Sequence, residues 1–293
     1  MTSWLAFLPS PPDSAIDLGP LSLRAYGLAI ALGVVAAVAI AQRRWQRVGG
    51  DPGDIGALAV WAVPVGLVGA RAYHVLTDLD RFSGRWHEAF YVWKGGLGIP
   101  GGLLAGVLAG VIVARRRGLP IAPLLDAVAP AIPIAQAIGR LGNWFNQELY
   151  GRPTDLPWGL RIDPDQRPAR YAEVETFHPT FAYEALWNLA LAGALIFIGR
   201  RFRLRAGTLF ALYVAGYGAG RMWVESLRVD PAAMVGGIRF NVLVGVLALI
   251  SGGIAALLLA RRGRAASPEP ALVQRPARRF TGSAAAQRRP SAR

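Results

Sequence analysis

Residues able to do chemistry gather in four short stretches of this sequence. GRLGNWFNQELYG (139–151) carries Arg140, Asn143, Asn146, Gln147 and Glu148 directly behind the apolar run LLDAVAPAIPIAQAI. In GYGAGRMWVESLR (216–228), Tyr217, Arg221, Glu225 and Arg228 would fall within about 80° of one another on a helix and form one polar stripe. GARAYHVLTD places Arg71 and His74 one helical turn apart, and FHPTFAYEALWN holds His178, Pro179 and Glu184. The chain has no cysteine, so a thiolate nucleophile, a disulfide and a Cys-ligated metal are all excluded. What remains is arginine with asparagine, tyrosine and carboxylates, which implies no metal and no cofactor. Arginine's planar fork grips phosphate through paired, charge-assisted hydrogen bonds and stays protonated at physiological pH. It also stabilises charge that develops on a departing phosphate.

The elements that must position these residues are membrane helices. Of the 293 residues, 53% are hydrophobic and only 17% charged, with 35 glycines, outside the range of soluble domains. Seven windows reach the length and apolarity needed to cross a hydrocarbon core. They are Tyr26 to Ala41, Ile55 to Leu76, Gly96 to Ala114, Ile121 to Ile138, Thr180 to Gly199, Gly207 to Val224 and Phe240 to Ala260. The fold class expected is an all-α polytopic membrane protein, residues 1–262, with a small head inserted at about 147–178 outside the membrane.

A net charge of +14 could indicate nucleic acid, but the charges lie in alternate loops. Arg43, Arg44 and Arg47 follow the first window, Arg115 to Arg117 the third, and Arg200, Arg201, Arg203 and Arg205 the fifth. With the arginines after the seventh they make up more than half of the 32 basic residues. The positive-inside rule makes that side cytoplasmic, so the N-terminus and the ends of windows two, four and six face outward. No nucleic-acid partner is expected. The first twenty residues lack a basic leading region and are broken by prolines, so the first span itself acts as the signal. Residues 263–293, rich in Pro, Ala, Ser and Arg, read as a disordered tail drawn to anionic membrane lipids.

An ionisable side chain inside a membrane helix costs about 2.5 to 3.5 kcal/mol, so each asks for a partner or a function. Arg71, Arg140, Glu184, Arg221 and Glu225 are five such residues. A single Arg/Glu pair at i, i+4 serves equally well as glue between helices. A lone histidine such as His74 is more often structural than catalytic, and Arg71 could simply snorkel to the interface. Taken together, all five sit at the outer ends of windows two, four, five and six, where they converge on one outward-facing polar pocket suited to a phospholipid head group. WKGGLGIPGGLLAG (93–106) packs six glycines and a proline, useful for tight helix packing or for backbone that approaches a ligand.

GRLGNWFNQELYGR closely resembles the signature of the prolipoprotein diacylglyceryl transferases, G-R-x-G-N-[FW]-x-N-x-E-x-x-G, at Arg140, Gly142, Asn143, Asn146, Glu148 and Gly151. The likeness continues through Tyr26-Gly27, GAR at 69–71, W-x-GG at 93–96, HP-[ST]-x-x-YE at 178–184 and GYG-x-x-R-x-x-x-E at 216–225, and stops before the tail. It implies a bacterial inner-membrane enzyme with seven transmembrane helices, an outward N-terminus, a cytoplasmic C-terminus and a periplasmic head. Its partners would be phosphatidylglycerol and the lipobox peptides of preprolipoproteins. The diacylglyceryl group passes to the lipobox cysteine, a thioether forms and glycerol phosphate leaves. The nucleophilic sulfur belongs to the protein substrate, in keeping with a chain that has none. Carried over by position, Arg140 and Arg221 hold the phosphate, Asn143 orients the head group and Tyr217 bonds near the reacting carbon. Tyr26, Arg71, Asn146, Glu148 and Glu225 complete the substrate site.

The sequence departs from the family at Pro100, where many relatives carry a histidine cast as general base. Proline takes no proton. Either a thiol whose pKa near 8.5 is lowered by arginines needs little help, or His74, and after it Glu148, fills the role. A transporter or flippase for an anionic lipid or solute is the rival class, since intramembrane charges and broken helices also mark substrate pathways. No repeat between the two halves of the chain supports it.

Overall fold

A computed structural model describes residues 7–18, 21–92 and 95–261. The expected tail at 263–293 and Trp93 of the W-x-GG motif lie outside them. A hairpin, β1 (Ala15–Leu18) with β2 (Leu21–Arg24), leads into α1 (Ala25–Arg47). There follow α2 (Pro52–Thr77), the short α3 (Leu79–Phe82), α4 (Ile99–Arg116), α5 (Ile121–Val128) and α6 (Ala131–Phe145). The segment between α6 and α7 contains β3 (Leu160–Arg161) paired antiparallel with β4 (Thr176–Phe177). Then come α7 (Thr180–Arg201), α8 (Thr208–Leu227), the hairpin β5 (Met234–Val235) with β6 (Ile238–Arg239), and α9 (Phe240–Arg261).

Among the described residues, six stretches are long and apolar enough to cross a membrane: α1, α2, α4, the α5–α6 stretch Ile121–Phe145, α7 and α9. These make the chain a mostly helical, multi-pass membrane protein. The 20-residue α8, which carries Arg221 and Glu225, is not among the six. Its polar stripe faces a buried site rather than lipid, which lowers its mean hydropathy without shortening it.

Side by side, the helices run α4, α2, α1, α6, α7, α8, α9, and α5 touches both α1 and α8. Two of these contacts depend on glycine. A Cβ on Gly69 would lie 2.3 Å from that of Ala105 across α2/α4, and one on Gly218 would lie 2.5 Å from the Gly245 carbonyl across α8/α9. Close backbone approach replaces the missing hydrophobic drive between helices in lipid. Much of the glycine in the 93–106 stretch serves this packing.

The fourth window differs from its expected course in two ways. It is interrupted at Ala129–Pro130, and it continues past Ile138 to Phe145. Pro130 has no N–H to offer the carbonyl of Asp126 four residues back. Arg44 of α1 supplies the missing donors, with Nη2 bonding Asp126 O at 3.3 Å and Nε bonding Ala127 O at 3.1 Å. The Asp126 carboxylate in turn accepts from the N–H groups of Gly207 and Phe210, at 2.8 and 3.0 Å, capping the start of α8. One broken helix thereby ties α1, α5 and α8 together at the arginine-rich end.

At the opposite end, Tyr150, Leu160, Ile162, Phe177, Phe181 and Val229 form a hydrophobic cluster. The N-terminal segment closes over it, with Leu8 bridging Leu160 in parallel and Pro9 accepting a bond from the Trp144 indole at 3.0 Å.

Candidate functional site

The signature is half helix and half turn, and each fixed position has a physical reason. Gly142 lets α6 press against α1, because a Cβ there would lie 2.5 Å from the Tyr26 ring. Tyr26 is thereby packed against the helix that carries Arg140 and Asn143. Beyond Phe145 the chain reverses through two residues in the left-handed region, Gln147 (φ 51°) and Leu149 (φ 60°), with Glu148 between them. That conformation costs roughly 1–2 kcal/mol for a non-glycine residue and persists only when its surroundings hold it. Both residues are held. Gln147 donates to Asp163 Oδ2 at 2.6 Å and accepts from the Asp163 N–H at 2.8 Å, and the Leu149 carbonyl accepts from the Thr180 hydroxyl. Gly151 threads between the start of α7 and the end of α8, where a Cβ would meet His178 Cβ at 2.8 Å.

The reversal returns Glu148 to the helix it has just left. Glu148 Oε1 accepts from Asn143 Nδ2 at 2.8 Å and from Asn146 Nδ2 at 3.2 Å. Asn143 Oδ1 accepts from Arg140 Nη1 at 3.0 Å, and Arg140 Nη2 lies 2.6 Å from Glu184 Oε1 on α7. Arg140, Asn143, Asn146, Glu148 and Glu184 thus belong to one network, and Tyr26 packs against its helix at Gly142. Its outer side opens on a cavity of about 370 Å³ lined by Asn146, Glu148, Asp163 and Asp165 together with Pro11 and Ser14 of the N-terminal segment.

A second network surrounds Glu225, which is fully buried. Arg221 and Arg228 approach its Oε2 at 3.1 and 3.5 Å. Arg239 and Asn241 donate to its Oε1 at 2.8 and 3.2 Å. Arg228 forms a two-bond fork with Asp230, at 2.7 and 2.8 Å. Tyr217, one turn before Arg221, packs against Tyr213 with ring centroids 6.2 Å apart.

Arg71 and His74 form a third group. Arg71 spends its guanidinium on backbone carbonyls: Nε on Ala89 at 2.7 Å, Nη2 on Glu88 at 2.6 Å, and Nη1 on Gly95 and Gly96 at 2.6 and 2.9 Å. His74 Nδ1 pairs with Asp78 Oδ2 at 2.9 Å, and the ring meets Phe82 edge-on. Its Nε2 is pressed beneath Gly96 (φ 73°). This group organises the turn before α4. The ends of α6 and α7 carry the first polar network and the end of α8 the second, while the charges at the end of α2 are turned to their own loop.

Arg239, Asp230 and Asn241 were missed by the sequence reading. Gly236 and Gly237, both with positive φ (57° and 79°), form the tight turn that sends β6 back alongside β5 and delivers Arg239 to Glu225. A glycine pair between Val235 and Ile238 is the signal that could have exposed it.

A family model described as prolipoprotein diacylglyceryl transferase matches residues 13–259. The chain belongs to that family. Among relatives of the transferase, phosphatidylglycerol–prolipoprotein diacylglyceryl transferase 2 of Streptomyces coelicolor is 50% identical over 258 residues, covering 87% of this chain and 81% of its own length. The enzyme of the same name from Streptomyces griseus subsp. griseus is 49% identical, covering 91% and 82%. That of Mycobacteroides abscessus is 47% identical, covering 89% and 80%. These relatives are named as transferases, not transporters, so the family likeness favours the first of the two classes the sequence allowed.

Proposed function

We propose that this chain transfers the diacylglyceryl group of phosphatidylglycerol to the lipobox cysteine of a preprolipoprotein, with α8 as its seventh span. The site end of the bundle faces outward and the arginine-rich end faces the cytoplasm of a bacterial inner membrane. The observation that carries the reading is the continuous Arg140–Asn143–Glu148–Glu184 network, because it assembles the family signature around a guanidinium at the mouth of the bundle.

A thioether with glycerol phosphate as the leaving group requires cleavage of the bond between carbon and oxygen, so the phosphorus is not attacked. The peptide sulfur attacks the glycerol carbon that bears the phosphate. An S–C bond forms, the C–O electron pair goes to the phosphate oxygen, and the thiol proton passes to a base. As that bond breaks the phosphate gains negative charge, which Arg140 and Arg221 stabilise. Asn143 orients the head group, Tyr217 bonds near the reacting carbon, and Asn146 and Glu225 hold their neighbours in place. We assign the proton to Glu148 rather than His74. Glu148 lies in the Arg140 network and lines the outer cavity, whereas His74 is engaged with Asp78 and the Gly96 turn. Arg71 acts by ordering that turn at the lipid-binding end.

The test is to mix the purified protein in vesicles with phosphatidylglycerol labelled in the glycerol of its diacylglyceryl group and a lipobox peptide. Label should appear on the peptide cysteine in a bond stable to mild base. Uptake of label without transfer would overturn the reading.

A further inference from the structure

Around Glu225 three arginines meet two carboxylates. Arg228 forks onto Asp230, and Arg239 binds Glu225 Oε1 at 2.8 Å, leaving one positive charge over. That surplus lies on Arg221. Glu225 Oε2, the atom nearest to it, is buried yet has no hydrogen bond of good geometry, and Arg221 stands at 3.1 Å as an ion pair only. A buried carboxylate normally draws in every donor within reach. Here Arg239 and Asn241 have already satisfied the other oxygen. Arg239 is itself anchored at a second point, with Nη1 bonding the Asp230 carbonyl at 2.9 Å.

We infer that Arg239 is a positioning residue: by sharing Glu225, it keeps the guanidinium of Arg221 available to the phosphate of the lipid substrate. The inference rests on the proposed transferase reaction. Without Arg239, Glu225 would pull Arg221 into a close fork, and the lipid phosphate would have to compete with a fixed carboxylate. Arg239 does this from outside α8, delivered by the β5–β6 hairpin, so it acts through Glu225 rather than by touching the lipid.

The experiment is a cycle of Arg239→Gln and Glu225→Gln in the full chain in vesicles, reading KM for phosphatidylglycerol, KM for the peptide and thermal unfolding. Arg239→Gln should raise KM for phosphatidylglycerol by about tenfold and leave KM for the peptide unchanged. In the Glu225→Gln background the same change should cost less than about twofold, since no carboxylate remains to capture Arg221. Arg239→Lys should fall between the two and stands in if Arg239→Gln does not fold. Equal losses in both backgrounds, or an unchanged lipid KM in protein that transfers label normally, would overturn the inference alone. Absence of transfer by the unaltered protein would instead defeat the reaction on which it rests.

Discussion

Arg140 on α6 and Glu184 on α7 stand 2.6 Å apart, and the other terminal nitrogen of the same guanidinium holds Asn143 at 3.0 Å. One planar group therefore joins two helices to the signature turn. An ammonium cannot occupy both positions at once. Arg140→Lys should lower kcat/KM by about 10²- to 10³-fold, the loss typical of removing one aligned donor from a developing oxyanion, with little change in thermal unfolding. Activity within a few-fold of the unaltered protein would remove Arg140 from the chemistry.

His74 offers the opposite expectation. With Nδ1 on Asp78 and Nε2 beneath Gly96, it is placed to support the turn before α4. A general base contributes about 10²- to 10⁴-fold, so His74→Gln, which keeps a polar group there, should leave turnover within about threefold. Glu148→Gln should lose at least a hundredfold, roughly the lower bound for a base. A large loss in His74→Gln with normal folding would return the proton to the histidine.

Gly96 tests the Arg71 clamp by a different route. Its φ of 73° lies where a side chain is strained, and a Cβ would stand 2.3 Å from His74 Nε2 and 2.9 Å from Arg71 Nη1. Gly96→Ala should lower stability by about 1–2 kcal/mol from the backbone alone, with loss of activity as the turn shifts. Gly193, in α7, has nothing within 4 Å of its Cβ position, so Gly193→Ala should be neutral or slightly stabilising. Equal behaviour of the two variants in a detergent unfolding assay would contradict the clamp.

Six of the expected spans were legible because lipid allows few alternatives to long apolar helices. The end of α6 was not. Arg140 and Asn143 lower the hydropathy at the point where the window was closed, yet they satisfy each other three residues apart, and so the helix runs on to Phe145. Arg71 read as a substrate-facing charge because its partners, four backbone carbonyls, leave no mark in a sequence. Likewise, the Glu225 stripe was visible at helical spacing, but its strongest partner, Arg239, arrives from a hairpin fourteen residues later, a pairing that periodicity does not encode. Contacts within a helix were readable; contacts made to backbone or across a turn were not.

His178, two residues before the start of α7, gives stability a dependence on pH. Burial, reinforced by the positive charge of Arg152, lowers its pKa from the usual 6.5. Its Nδ1 lies 3.1 Å from the Tyr183 hydroxyl, which also accepts from the Trp158 indole at 3.0 Å. With Trp158 donating to that oxygen, the hydroxyl proton is free to go to an unprotonated Nδ1. Between the lowered folded pKa and 6.5, the unfolded chain binds more protons than the folded one, so folding is favoured as pH rises through that interval. The contribution is complete above about pH 6.5 and is lost as pH falls through the folded value. The unaltered protein should therefore unfold at a lower temperature at about pH 5 than at about pH 7, and His178→Gln should lack that part of the decline. Because the ring is only partly buried, the difference between the two proteins should be at most about 3 °C. Parallel declines would mean that the histidine titrates alike in both states and that the bond to Tyr183 does not depend on its neutral form.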